Sequence, residues 1–280
     1  MTVACCQTVP EVGDPEASAA QARAALREAV DAGAGIVVLP ELANSGYLFE
    51  SVEEARAAAV PADGELLAGW ALEAERGEAI VIGGFCELGN DDRVYNSAAL
   101  VDGTGVLAVY RKLHLWDKES LWFTPGSRPA PVVDTRHGRI GVGICYDIEF
   151  PELTRGLALG GADLIALPTN WPREQPRQAG GPMLKLLTRT TAYLSRVYVA
   201  VCDRGGSERG GDFEGGSSIV APKGVALAES APGAVAETLL ATCEPAAARD
   251  KRIGPRNDVL ADRRPEHYVG LGGSAGKAPS

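Results

Sequence analysis

A mixed α/β sandwich is the fold that the 280-residue sequence predicts, and three observations carry that prediction. Strand–helix–strand units occur near the N-terminus and again past the middle. Between them lie β-rich runs separated by Gly, Asn and Asp turns, which calls for antiparallel neighbours rather than a pure Rossmann sheet. The late part of the chain returns to a helix followed by further strands.

In chain order, residues 3–6 start a short strand, residues 15–32 read as a helix, and residues 35–39 form an apolar run that ends at Pro40 and Glu41. Residues 79–86, 96–101 and 106–110 are the turn-separated β-rich runs. The strand–helix–strand pattern then repeats: a strand over 139–144, a helix over 151–159 and a strand over 162–167 that runs on into Pro168-Thr169-Asn170. Two halves of similar build are suggested. A helix over 183–195, a strand over 197–202 and strands around 218–220 and 225–228 follow. Residues 205–211, Gly-Gly-Ser-Glu-Arg-Gly-Gly, read as a mobile loop. From Glu244 onward the chain is charged and poor in large apolar residues. It is therefore divided into a main domain over 1–243, an extended arm over 244–270 and a disordered tail over 271–280.

Composition narrows the function classes. Hydrophobic residues make up 45% and charged residues 23%, as in an ordinary globular protein. The formal net charge is -10 and no cluster of Lys and Arg stands out, so a polyanion such as nucleic acid would be repelled. The first residues lack the basic stretch and apolar run of a secretory signal, and no apolar run reaches membrane-spanning length, so a cytoplasmic location is expected. Cys5, Cys6, Cys86, Cys145, Cys202 and Cys243 sit in strand-like segments without any C-x-x-C spacing, and read as reduced thiols that mostly serve as small buried hydrophobes.

Cys145 is the exception by its surroundings. Gly141-Val-Gly-Ile-Cys145-Tyr-Asp-Ile-Glu-Phe-Pro151-Glu152 is an apolar strand that stops at a cysteine just before a helix with Pro near its start. A thiol there projects from a strand end, beside backbone N–H groups able to stabilise a thiolate or an oxyanion. Alone, the segment reads as a buried strand cysteine. The thiol needs a proton acceptor and a cation, and histidines are few: His114, His137 and His267. His114 could pair with the thiol. A class I glutaminase, however, would carry a downstream His-x-Glu, absent here, and a small residue where Asp147 stands. Glu41 and Lys112 also lie at strand ends, where α/β sheets gather ligand-binding groups; singly, each reads as a surface charge.

Leu39-Pro-Glu41, Tyr110-Arg-Lys112-Leu-His114 and Gly143-Ile-Cys145-Tyr-Asp147, in this order, resemble the three catalytic motifs of the nitrilase superfamily, the carbon-nitrogen hydrolases, over nearly the whole chain. The resemblance implies a four-layer αββα sandwich, a Glu41-Lys112-Cys145 triad, no metal or organic cofactor, and homodimers or larger oligomers with the arm at an interface. It also implies that the Tyr146 N–H shares the oxyanion with Lys112, and that Glu119 is a supporting carboxylate. Glu119 also reads as one member of a solvated Asp-Lys-Glu run. Tyr47, Asn170 and Trp171 are assigned to the substrate pocket, though Trp171 also reads as a core cap.

The implied substrate is a small aliphatic amide. Relatives that hydrolyse nitriles often carry Trp-Glu after the cysteine, where this chain has Tyr146-Asp147. The string 145–152 and Ala261-Asp-Arg-Arg-Pro-Glu-His-Tyr268 resemble 5-aminopentanamidase-type enzymes, and Glu119 or Glu149 could hold an ammonium on the substrate. N-carbamoyl amidohydrolases, ω-amidases and nitrilases share much of the pattern. Isochorismatase-like hydrolases also use an acid, a Lys and a Cys, but without these motif settings. A non-catalytic binding or regulatory relative would be expected to have lost one of the three residues, and all three are present.

Overall fold

The computed structural model describes residues 1–173, 182–231 and 233–268. Its strands are β1 (Thr2–Gln7), β2 (Ile36–Val38), β3 (Ile80–Leu88), β4 (Val94–Asp102), β5 (Gly105–Arg111), β6 (Val132–Thr135), β7 (Gly138–Val142), β8 (Leu164–Thr169), β9 (Tyr198–Asp203), β10 (Ser207–Glu208), β11 (Gly211–Asp212), β12 (Ser218–Val220), β13 (Ala226–Glu229) and β14 (Glu237–Thr242). Two six-stranded sheets result, ordered β14-β1-β2-β3-β4-β5 and β13-β12-β9-β8-β7-β6. Each has three parallel central strands, β1-β2-β3 or β7-β8-β9. One antiparallel strand flanks each triplet on one side, and two on the other. The halves suggested by the repeated strand–helix–strand units thus share one plan.

The helices α1 (Pro15–Asp31), α2 (Val52–Ala58), α3 (Glu65–Gly77), α4 (Glu119–Trp122), α5 (Pro151–Leu159), α6 (Met183–Ser195) and α7 (Pro245–Arg249) complete the chain. Alternation along the strands of the first sheet decides the layering, because successive side chains point to opposite faces. Val3, Cys5, Ile36, Val38, Ile80 and Ile82 face the second sheet, within a core that also contains Ile140, Val142, Leu164 and Val199. Ala4, Cys6, Val37 and Val81 face outward, against Leu26 and Val30 of α1 and Leu67, Trp70 and Ala74 of α3. With α5 and α6 covering the second sheet, the order is helix, sheet, sheet, helix: the four-layer αββα sandwich.

Several elements differ from the sequence reading. Helices α2 and α3 went unread because the buried face of α2 is alanine, Ala55 and Ala58, which gives little contrast with its polar face, and Pro61 breaks the run before α3. The segment over 205–211 is not a mobile loop. It forms the β10–β11 hairpin, closed by Arg209 (φ 46°) and Gly210 (φ 80°), the left-handed pair that a two-residue hairpin turn requires. Beyond Glu244 lie α7, a small hairpin and a 3-10 turn at Pro265–His267. Arg249 pairs with Asp163 at 3.0 Å, and Lys251 Nζ donates to the Arg196 carbonyl at 2.7 Å. The tail expected over 271–280 lies outside the described residues. Among those described, no helix is long and apolar enough to cross a membrane.

Candidate active site

The three motif residues come from the two sheets and meet between them. Glu41 follows β2 on a tight turn, and the next residue, Leu42, is left-handed (φ 49°). Gly84 of β3 makes room: a Cβ there would lie 2.4 Å from the Glu41 Cα and 2.6 Å from the Leu42 N. Lys112 leaves the end of β5. Cys145 sits just past β7 and opens a 3-10 turn, Cys145–Glu149, with φ 46°. A left-handed non-glycine residue costs about 1–2 kcal/mol, so the surroundings must hold the cysteine in place.

Asp147 does so. Its Oδ2 accepts from the Ile144 N–H at 2.9 Å and from the Tyr110 hydroxyl at 2.8 Å, and its Oδ1 lies 2.7 Å from His114 Nδ1. The turn carrying the thiol is thereby tied to the end of the strand carrying Lys112. His114 is spent in this role, its ring stacked on Phe150 with centroids 3.5 Å apart.

Lys112 is wholly buried and donates to Glu41 Oε1 and to Glu119 Oε1, each at 2.7 Å. Burial disfavours its charge, but the Glu119 and Glu41 carboxylates outweigh this and hold its pKa well above the ordinary value. Asn96 Nδ2 donates to Glu41 Oε1 at 2.7 Å, and the Asn170 N–H donates to Glu41 Oε2 at 2.9 Å. The Tyr47 hydroxyl donates to Glu119 Oε1 at 2.6 Å. Burial raises the Glu41 carboxyl to about 7; Lys112 opposes the rise and Glu119 adds to it. The Cys145 thiol, raised well above its usual value first by burial and then by Glu41, lies 3.8 Å from the Asn170 carbonyl. Cys145 is thus a neutral thiol at rest beside a carboxyl poised near neutrality and a fixed ammonium.

A cavity of about 90 Å³ opens beside Cys145, lined among the described residues by Trp116, Tyr146, Glu149, Trp171 and Pro172. Trp171 takes the expected place in its wall. Tyr47 lies behind Glu119 rather than along this wall, and Asn170 contributes its main chain to Glu41 and Cys145. Tyr146 lines the cavity and belongs to the first turn after the thiol, where a helical amide has no partner within its own helix. Glu119 is engaged by Lys112 and Tyr47; Glu149 also lines the cavity. The sequence reading missed Asn96, Trp116 and the anchoring role of Asp147. Asn96 is 55 residues from its partner Glu41 and reaches it only through the β3–β4 pairing, which no local pattern announces.

The chain matches the carbon-nitrogen hydrolase family over residues 2–252. It is 36% identical over 274 residues to a nitrilase of Pyrococcus abyssi, covering 95% of this chain and 98% of that protein. It is 35% identical over 230 residues to a chloroplastic omega-amidase of Arabidopsis thaliana, covering 77% of this chain and 60% of that protein. Among solved structures, an amidase from Nesterenkonia sp. matches with a TM-score of 0.77 at 26% identity, over 95% of this chain and 94% of that one. A variant of the Nesterenkonia amidase shows covalent addition of the acetamide moiety of fluoroacetamide at its active site cysteine. This chain belongs to the carbon-nitrogen hydrolases of the nitrilase superfamily. Within that superfamily it falls in the amidase branch.

Proposed function

We propose that the protein hydrolyses a small aliphatic primary amide, one bearing a cationic amine in particular, through a thioester on Cys145. The observation that carries this reading is the buried Lys112 ammonium held 2.7 Å from each of two carboxylates, Glu41 and Glu119, beside the thiol. Glu41 takes the thiol proton as the sulfur attacks the carbonyl carbon. Lys112 and the Tyr146 N–H stabilise the resulting oxyanion. The C–N bond then breaks, ammonia leaves with the proton returned by Glu41, and a thioester remains. Water, losing a proton to Glu41, attacks the thioester; the acid departs and the thiol is restored.

The size and lining of the cavity support a short acyl chain. Three aromatic residues, Trp116, Tyr146 and Trp171, line about 90 Å³. An aromatic lining suits an alkyl chain, and the ring faces attract an ammonium rather than a carboxylate. A nitrile develops its charge on nitrogen, which an oxyanion site is not built to hold. Specificity constants for 5-aminopentanamide, pentanamide and pentanenitrile test this. The order expected is amino-amide, amide, nitrile. A nitrile turned over faster than both amides would refute the amide reading, and equal rates for the two amides would remove the case for the ammonium.

A further inference from the structure

Glu208 of the β10–β11 hairpin and Arg204, just past β9, form a second buried ion pair that the reaction steps leave unused. Arg204 and Glu208 are both buried, with Arg204 Nη1 3.2 Å from Glu208 Oε1. Arg204 Nη2 donates to the Pro10 carbonyl at 2.7 Å, and its guanidinium lies 4.1 Å from the Phe213 ring centroid. Glu208 accepts three backbone N–H groups: Val12 at 3.0 Å on Oε1, and Tyr47 at 2.9 Å and Leu48 at 2.6 Å on Oε2. Gly46 admits the carboxylate, since a Cβ there would lie 2.4 Å from Glu208 Oε1. A buried carboxylate is costly unless it is met, and here three amides donate to it and the Arg204 guanidinium lies beside it as counter-charge.

The pair leads to the reacting centre through one residue. Glu208 fixes the main chain of Tyr47, and the Tyr47 hydroxyl donates to Glu119 Oε1, the oxygen that also accepts from Lys112 Nζ. We propose that Glu208, held by Arg204, is a positioning residue that sets Tyr47 so that its hydroxyl fixes Glu119 and, through it, the Lys112 ammonium. The proposal rests on the reading of Lys112 as the oxyanion cation. Losing the hold on Tyr47 should affect kcat more than KM, because the Lys112 contact strengthens in the transition state.

A double-mutant cycle of Glu208→Gln and Tyr47→Phe tests this, with native fold checked by circular dichroism. Glutamine keeps the size of Glu208, but it gives up the charge that holds Arg204 and has one acceptor oxygen for amides that use two, Val12 on Oε1 and Tyr47 with Leu48 on Oε2. Each single variant should lower kcat about tenfold with KM little changed, and the double should be no slower than the slower single. The second readout is the pH dependence of Cys145 alkylation by iodoacetamide, followed on the Cys145 peptide. It needs no amide turnover, so failure of the substrate reading leaves it intact. Both singles should shift this profile in the same direction, and the double no further. Should Glu208→Gln not fold, Arg204→Met takes its place in the cycle. Multiplying effects on kcat, or an alkylation profile that Tyr47→Phe moves and the brace variants do not, would overturn the proposal.

Discussion

At the scale of single residues, catalysis turns on which group takes the thiol proton. Removing a general base costs about two to four orders of magnitude in rate, so Glu41→Gln should lose ammonia release. His114→Ala should keep a measurable rate, reduced only through the Asp147 turn; a His114→Ala variant that is dead beside a nearly normal Glu41→Gln would reverse the assignment. The pH profile gives a second check. Burial, opposed by Lys112 and reinforced by Glu119, raises the Glu41 carboxyl to about 7, and only its unprotonated form can accept the thiol proton. Hence kcat/KM should rise with pH through about 7. Glu119→Gln removes a negative charge that raises Glu41, so the rising limb should move to lower pH even as the rate falls; a pH–rate series from 5 to 9 measures it. Glu41, Lys112 and Cys145 were legible because each sits in a short motif at a strand end. Asp147 was legible as a motif letter but not as an anchor, since its partner Tyr110 lies on the other sheet and reaches it only when the two sheets pack.

At the scale of elements, the turn after β2 depends on its neighbour strand. Gly84→Ala places a Cβ 2.4 Å from the Glu41 Cα, a backbone contact that cannot yield without moving the carboxylate. It should cost about 1–3 kcal/mol of stability and lower kcat. Gly69 in α3 offers the control, because a Cβ there meets nothing within 4 Å; Gly69→Ala should stabilise by about 0.5–1 kcal/mol with activity unchanged. Thermal melts with parallel ammonia assays separate the two. The strands that the sequence announced include the central ones with continuous apolar runs, such as residues 162–167, and the edges β5 and β13. Edge strands β6 and β14 were unread, because a half-buried edge alternates polar and apolar residues, as Glu237–Thr242 does, and passes for loop. The β10–β11 hairpin was read as loop because its glycines mark a turn without revealing that Glu208 would be buried.

At the scale of the whole molecule, the outer face of the second helical layer leaves Leu186, Tyr193 and Leu194 of α6 and Leu159 of α5 between 45% and 54% exposed. Such a row is a candidate for pairing with a second copy, and light scattering at micromolar concentration should give at least a dimer; a monomer would contradict this. The sandwich as a whole was legible from its repeated strand–helix–strand units, and its four layers from the family resemblance; how copies assemble is decided by surface shape, which sequence patterns do not record. What the two sheets accomplish together is the burial of one thiol among a carboxyl, an ammonium and a strained turn, and the most direct test removes that thiol. Purified wild type and Cys145→Ala should be compared for ammonia release from 5-aminopentanamide and pentanamide, with Cys5→Ala, Cys6→Ala, Cys86→Ala, Cys202→Ala and Cys243→Ala alongside. The account predicts a folded Cys145→Ala without activity and largely retained activity in the other five; full activity in Cys145→Ala would contradict it.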